Sequence, residues 1–378
     1  MATTASTVTP PAEHAGDAGT RHVRVAVIGT GFTGLAAVHA LREAGIDDLL
    51  VLERAEDVGG TWRDNTYPGI ACDVPSHLYS LSFAPNPDWA RTFSSGHQIW
   101  EYMRQVAADM GIAEVTAFGE ELLDASWDEL HQRWALRTTT LELTADALID
   151  GSGVLCDPTY PDIDGLDRFQ GARFHSARWN HDHDLAGERV AVIGTGASSI
   201  QIVPSIQPQV SRLTIFQRTP GWVIPRMDRD ISDAERKLLR RVPALQRALR
   251  LGQDVYRDVV LHSVMVSPLV RRVAETASKL YLRRSIDDPA LRAKLLPSFE
   301  IGCKRILITS AWYPALNQPN VDVETSPITE ITANGVRTAD GTLVTWRSPP
   351  TPVGSTSVRS SSLCGTGGAA GAGSVPRP

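Results

Sequence analysis

The same seven residues, VAVIGTG, occur twice in this chain, at 25–31 and at 190–196, each time ahead of a helix-forming run. An apolar, β-branched run of this kind reads as a strand buried on both faces, which is the environment of a parallel sheet covered by helices. The glycines then turn the chain back at once. In Gly29-Thr30-Gly31-Phe32-Thr33-Gly34 the first glycine permits a tight turn and the second lets backbone approach a pyrophosphate. The third lets the helix LAAVHALREAG pack against its strand. A helix that starts there offers free N–H groups and a positive dipole end to phosphates. The expected fold is therefore α/β, with two Rossmann-like dinucleotide-binding domains and two ligands that must meet.

The strand after each helix separates the two ligands. DLLVLE ends in Glu53, about twenty residues past the first glycines, where a carboxylate accepts hydrogen bonds from ribose hydroxyls. LTIFQRTP ends in Arg218 and Thr219 instead, and a guanidinium at that place pairs with a 2′-phosphate. The second site thus points to NADPH. In its loop Gly194 and Gly196 keep the spacing, while Ser199, after Ser198, stands where the third glycine would, so the helix is expected slightly farther out.

Between the loops lies FQGARFHSARWN, residues 169–180, with Phe169, Gly171, His175 and Trp179 in a fixed register. It reads as the joint between the two domains. Phe169 and Trp179 would anchor its ends in the two cores, Gly171 would permit a bend, and His175 would make a structural hydrogen bond. Upstream, Gly59 and Gly60 suggest close backbone approach to a ligand, with Thr61 following. Trp62, Tyr67 and Tyr79 can stack on or edge a flat ring. A helix is expected over 101–111, then a meander of short strands, then the strand ADALIDGSG returning to the first sheet. Residues 228–297 read as a helical insertion rich in Arg and Leu, with a capping box at Ser232–Glu235. It could roof a substrate pocket.

Three motifs carry a family resemblance. GGTWRDNTYPGIACDVPS, the FxGxxxHxxxW pattern of Phe169–Trp179 and GCKR at Gly302–Arg305 are together similar to Baeyer–Villiger flavin monooxygenases, FAD- and NADPH-dependent class B flavoprotein monooxygenases. The resemblance runs roughly from Val23 to Val344. It implies FAD in the first site, touched by Gly29, Gly31, Phe32, Gly34, Glu53, Gly60, Thr61, Trp62, Asp73 and Tyr79. It implies NADPH in the second, touched by Gly194, Gly196, Ser198, Ser199, Arg218, Thr219 and Lys304. Asp73 and Arg305 would be catalytic, Arg305 holding an anionic C4a-peroxyflavin while it attacks a ketone to give an ester or lactone. Small departures are Asp150-Gly151-Ser152-Gly153 where the family has Ala-Thr/Ser-Gly, and Asn180 after the Trp. An S- or N-oxygenating flavin monooxygenase and an inactive nucleotide-binding remnant remain as alternatives.

Composition sets the remaining limits. With 378 residues, 42% hydrophobic and 21% charged, the chain can bury two domain cores. A net charge of −6 gives no general affinity for nucleic acid or anionic membrane. The four cysteines, Cys72, Cys156, Cys303 and Cys364, form no CxxC pair, so no metal site is expected and a reducing cytoplasm is. The domain reading is a disordered tail over 1–21, an FAD-binding domain over 22–157 with a return segment over 321–344, and an NADP-binding domain over 158–320. From Thr345 onward Asp, Glu and Lys vanish and Gly, Ser, Pro, Thr and Ala dominate, so 345–378 reads as an aberrant, disordered tail. A truncation or a frameshift near Val344 would account for it. The particular ketone and the oligomeric state are not written in the sequence; the substrates implied are a small ketone and O2.

Overall fold

A computed structural model describes residues 21–155 and 157–345, with the backbone alone for 353–355 within the region beyond. The first unit opens with β1 (Arg21–Ile28), α1 (Phe32–Glu43) and β2 (Leu49–Glu53), followed by α2 (Thr61–Asp64) and α3 (Gly96–Asp109). It continues through β3 (Thr116–Phe118), β4 (Leu122–Asp128), β5 (Arg133–Thr138) and β6 (Glu142–Asp150). These strands form one sheet in the order β3-β2-β1-β6-β5-β4. β3, β2, β1 and β6 run parallel, and β6 pairs with β1 in register from Arg21↔Leu143 to Ile28↔Asp150. β5 and β4 add an antiparallel ribbon. Alternation along β1 fills both faces: Val25 and Val27 meet Leu35, Val38 and Met103 on one side, and Ala26 and Ile28 meet Leu52, Leu136 and Leu143 on the other.

The second unit begins with β7 (Arg173–His175), β8 (Arg189–Ile193), α4 (Ser199–Ile206), β9 (Arg212–Phe216) and β10 (Val223–Ile224). Four helices follow, α5 (Asp233–Arg241), α6 (Pro243–Val266), α7 (Pro268–Ser285) and α8 (Pro289–Leu295). The chain then forms β11 (Leu307–Ile308), α9 (Trp312–Leu316), β12 (Val321–Glu324), β13 (Ile328–Thr332), β14 (Gly335–Thr338), β15 (Leu343–Thr345) and β16 (Val353–Ser355). The main sheet is parallel, in the order β12-β9-β8-β16-β7. β13, β14 and β15 make a separate antiparallel meander.

This topology corrects the return segment expected over 321–344. β12 pairs with β9, Val321↔Leu213 to Glu324↔Phe216, at the edge of the second sheet rather than the first. The meander packs Ile331 and Val336 on Ala191, Ile193 and Phe216 of that same sheet. Apolar alternation gives a strand and one buried face but not which sheet edge receives it. Arg21 already belongs to β1, and 1–20 lie outside the described residues. So do Cys156, Cys364 and the expected tail, except Thr345 and the backbone of Val353–Ser355, which sits as a strand between β8 and β7.

The helical insertion has clear local causes. Pro243, Pro268 and Pro289 each stand in the first turn of a helix, where a missing N–H costs nothing. Ser232, Ser267 and Asp288 cap α5, α7 and α8 through their side-chain oxygens. α6 buries Val264 near its end against Trp222 and Ile301, but its first half is anchored by polar side chains: Gln246 is 4% exposed and donates to the Asn86 carbonyl at 2.7 Å. One turn on, Arg250 donates to the carbonyls of Leu78 at 3.0 Å and Ser80 at 2.7 Å. Its outward stripe is apolar, with Leu251, Val255, Tyr256, Val259 and Val266 all exposed. Among the described residues no helix is long and apolar enough to cross a membrane.

Ile215 is fully buried at the centre of the second sheet. Replacing it with alanine is expected to cost about 3 kcal/mol, read as a lower urea midpoint; a change below about 1 kcal/mol would mean that this strand is not at the centre of a packed core.

Candidate functional site

Both glycine turns are built as close approaches. Gly29 has φ +86°, and its N–H donates to the Leu52 carbonyl at 2.8 Å. A Cβ on Gly34 would lie 1.9 Å from the Gly29 carbonyl oxygen, so α1 can start this near β1 only with glycine there. Above Gly31 there is no heavy atom within 4 Å of a Cβ, which leaves room for a phosphate at the start of α1. Gly60, φ +50°, faces this opening with its Cβ position 3.4 Å from the Gly31 Cα, and Thr61 begins α2 behind it. In the second unit Gly194 has φ +106° and donates to the Phe216 carbonyl at 2.9 Å. Gly196 is as open as Gly31. Ser199, at the third-glycine place, is fully buried at the start of α4, and Ser198 is 7% exposed, so both side chains are directed into the protein.

The acid and the base after the two β–α units differ in how they are held. Glu53 is 4% exposed. Its Oε2 accepts from the Thr30 N–H at 2.9 Å and the Thr30 hydroxyl at 2.6 Å. Its Oε1 accepts from the Ala55 N–H at 3.0 Å and from Arg63 at 3.1 Å. Burial pushes this carboxyl up, but the Thr30 and Ala55 hydrogen bonds and the Arg63 charge outweigh it and hold it below the usual carboxylate range. Arg63 is a partner the sequence did not single out. Arg218 is exposed and has no ion pair among the described residues, and Thr219 accepts from the Thr195 hydroxyl at 3.3 Å, tying the loop to the strand end. Lys304 stands 4.7 Å from the Phe299 ring centroid.

Phe32, Trp62 and Tyr79 knit together beside the first loop. The Phe32 and Tyr79 rings meet edge-on at 5.1 Å, and Trp62 Nε1 donates to the Tyr79 hydroxyl at 3.0 Å. Burial pushes the Tyr79 phenol up to about 12, so it stays neutral as an acceptor. Tyr67 is not part of this wall. It is 8% exposed in the core of the second unit, among Val192, Ile202 and Leu316. Its hydroxyl donates to Gln201 Oε1 at 3.2 Å. The loop that carries it runs on to Asp73, which pairs with Arg305 from 232 positions downstream.

The stretch 169–180 is not a joint between two cores. Phe169 packs against the cluster of Ala191, Ile193 and Phe216, and Trp179 against that of Val190, Val192 and Ile215. Those clusters are the two faces of one sheet, and the stretch between them supplies β7 at its edge. Gly171 does not enter the left-handed region. His175 is 3% exposed, its Nδ1 accepts from the Ala177 N–H at 3.1 Å, and Tyr160 edges its ring at 5.6 Å. The units are fastened elsewhere, by 66–73 on α4, where Gln201 is the contact the sequence gave no sign of.

The model of the flavin-binding monooxygenase-like family matches residues 22–265. A Baeyer–Villiger monooxygenase of Streptomyces coelicolor is 55% identical over 324 residues, covering 85% of this chain and 62% of that protein. The chain thus spans under two thirds of the length of this relative. Among solved structures, an oxidized steroid monooxygenase bound to NADP superposes with a TM-score of 0.78 at 30% identity, over 89% of this chain and 71% of that one. OTEMO in complex with FAD and NADP gives 0.77 at 27%, over 88% and 71%.

Glu53 supplies a pH test. Its folded-state pKa is depressed, so its contribution is present above the unfolded value, 4.5, and is lost as pH falls through the folded one. Wild type should therefore lose urea resistance between pH 5 and more acidic conditions. Glu53→Gln should be weaker at pH 7 and should decline less on acidification; parallel declines would count against the carboxylate.

Proposed function

Because the chain belongs to the flavin-binding monooxygenase-like family, we propose that it binds FAD at the first glycine loop and NADPH at the second, and oxidises a ketone to an ester or lactone with O2. The balance is one ketone, O2, NADPH and a proton to one ester, NADP⁺ and water. The observation that carries this reading is the ion pair of Asp73 and Arg305, brought together from loops behind the two nucleotide turns.

The residues present fit both groups. Open space over Gly31 and Gly196 admits backbone-bound phosphates, and the N-termini of α1 and α4 face it. Both Glu53 oxygens already accept two donors, so a ribose hydroxyl takes its place there by displacing Arg63, which also pairs with Asp64 at 2.7 Å. Phe32, Trp62 and Tyr79, packed edge to face, supply an aromatic border for a ring system. Arg218, with Thr219 and Lys304 nearby in role, meets the 2′-phosphate.

When bound, the flavin accepts hydride from NADPH and activates O2. The protein contributes position and charge. The Arg305 guanidinium presents a fixed positive charge and a planar donor fork to the oxyanion that develops on the substrate. Asp73 orients that guanidinium through their shared hydrogen bond. Arg305 is 55% exposed in its side chain, so excluding water around it falls to the bound ligands.

Purified protein should show flavin absorption bands, consume NADPH with a simple ketone and yield the ester. A sulfoxide from a thioether with no ester would favour the S-oxygenating alternative, and colourless protein with no NADPH consumption would overturn the reading. Arg305→Ala should lose ester formation by about 100-fold or more while keeping FAD. Arg218→Ala should raise the KM for NADPH about tenfold, the worth of one charge-assisted hydrogen bond, and leave that for NADH unchanged.

A further inference from the structure

Gln201 occupies an unusual place. It lies in the first turn of α4, the helix that starts at the second glycine loop, yet its side chain is spent entirely on the first unit. Nε2 donates to the Ala71 carbonyl at 2.9 Å, and Oε1 accepts from the Ala71 N–H at 3.3 Å. The same oxygen accepts from the Tyr67 hydroxyl at 3.2 Å. A primary amide that meets both the N–H and the C=O of one residue mimics a neighbouring β-strand. The other side of this segment is bonded to real backbone: Cys72 N–H donates to Ser94 at 2.9 Å, and Gly96 N–H to Ile70 at 3.0 Å. Residues 70–72 are thus held between a strand-like segment of their own unit and one side chain of the other.

The contact leaves no slack. At Gly69, φ +81°, a Cβ would lie 2.2 Å from Ser205 Oγ and 2.7 Å from the Gln201 carbonyl oxygen. Tyr67 is sunk in the second core, beside Ser198 at the start of α4. Two residues past Ala71, Asp73 reaches Arg305. A shift of the first turn of α4 therefore moves Ala71, and with it the carboxylate of Asp73.

We propose that Gln201 is a positioning residue that transmits occupancy of the second nucleotide loop to the Asp73–Arg305 pair. Phosphate binding at Gly194–Gly196 orders the start of α4, and Gln201 passes that order to the backbone of 66–73. This rests on the nucleotide sites proposed above.

Hydrogen exchange of the FAD-loaded chain, with and without saturating NADP⁺, tests it without relying on turnover. In wild type, NADP⁺ should slow exchange at the second loop and, by about tenfold, in 66–73 as well. In Gln201→Leu the second loop should still be protected while 66–73 no longer responds. Gln201→Glu keeps the acceptor but loses the donor to Ala71, so it should respond weakly; it decides the matter if the leucine variant does not fold. Full NADP⁺ protection of 66–73 in the variants, or none there in wild type despite protection at the second loop, would overturn the role of Gln201. Wild type that shows no NADP⁺ protection at the second loop would instead overturn the second nucleotide site itself.

Discussion

The start of a helix can reach the end of a strand only where no side chain stands between them, and the first unit of this protein depends on that contact. With a Cβ position at Gly34 only 1.9 Å from the Gly29 carbonyl, any larger residue would push α1 off β1. The helix start then leaves the open floor above Gly31, and the free N–H groups there become useful to a phosphate. Glu53 is placed by the same turn, since Thr30, in its middle, supplies two of the four donors to that carboxylate. The glycines thus set the backbone path, the open floor at the helix start and the place of the Glu53 carboxylate at once. In the second unit Ser199 does the packing without a third glycine, because its small side chain can be buried completely at the helix start.

What was legible in the sequence was local. Strand, turn, helix and acid follow one another within about thirty residues of a βαβ unit, so their chemistry is written in order. The cap at Ser232 is legible for the same reason. What was not legible depends on which edges meet. β12 alternates as any half-buried strand does, and nothing in it prefers β9 to the first sheet. Phe169 and Trp179 were read as anchors in two domain cores, and their spacing does not say that they pack on two faces of a single sheet. Tyr67 and Gln201 are the clearest case. A tyrosine after a glycine loop and a glutamine in a helix carry no mark that they lie 134 positions apart and bonded.

The electrostatics follow the same division. Glu53 is buried and its charge is kept by named donors, three of them from Thr30 and Ala55 and the fourth the side chain of Arg63. Asp73 and Arg305 are paired but remain open to solvent, which weakens their attraction and lets it be strengthened by whatever covers them. The first carboxylate is held by the protein alone, whereas the second pair is left to its surroundings.

The polar anchoring of α6 bears on how variation in this protein should be interpreted. In an ordinary surface helix, polar-to-apolar exchanges fall on solvent and are tolerated, while apolar positions resist change. Here Gln246 and Arg250 are the positions that hold the helix to the loop around Tyr79, whereas Leu251, Val255 and Val259 touch little within the chain. In the first half of this helix, hydropathy is therefore a poor guide to which positions hold it; near its end the buried Val264 follows the ordinary rule. A substitution score that equates apolar with essential would place Leu251, Val255 and Val259 above Gln246 and Arg250, the reverse of what their contacts within the chain require.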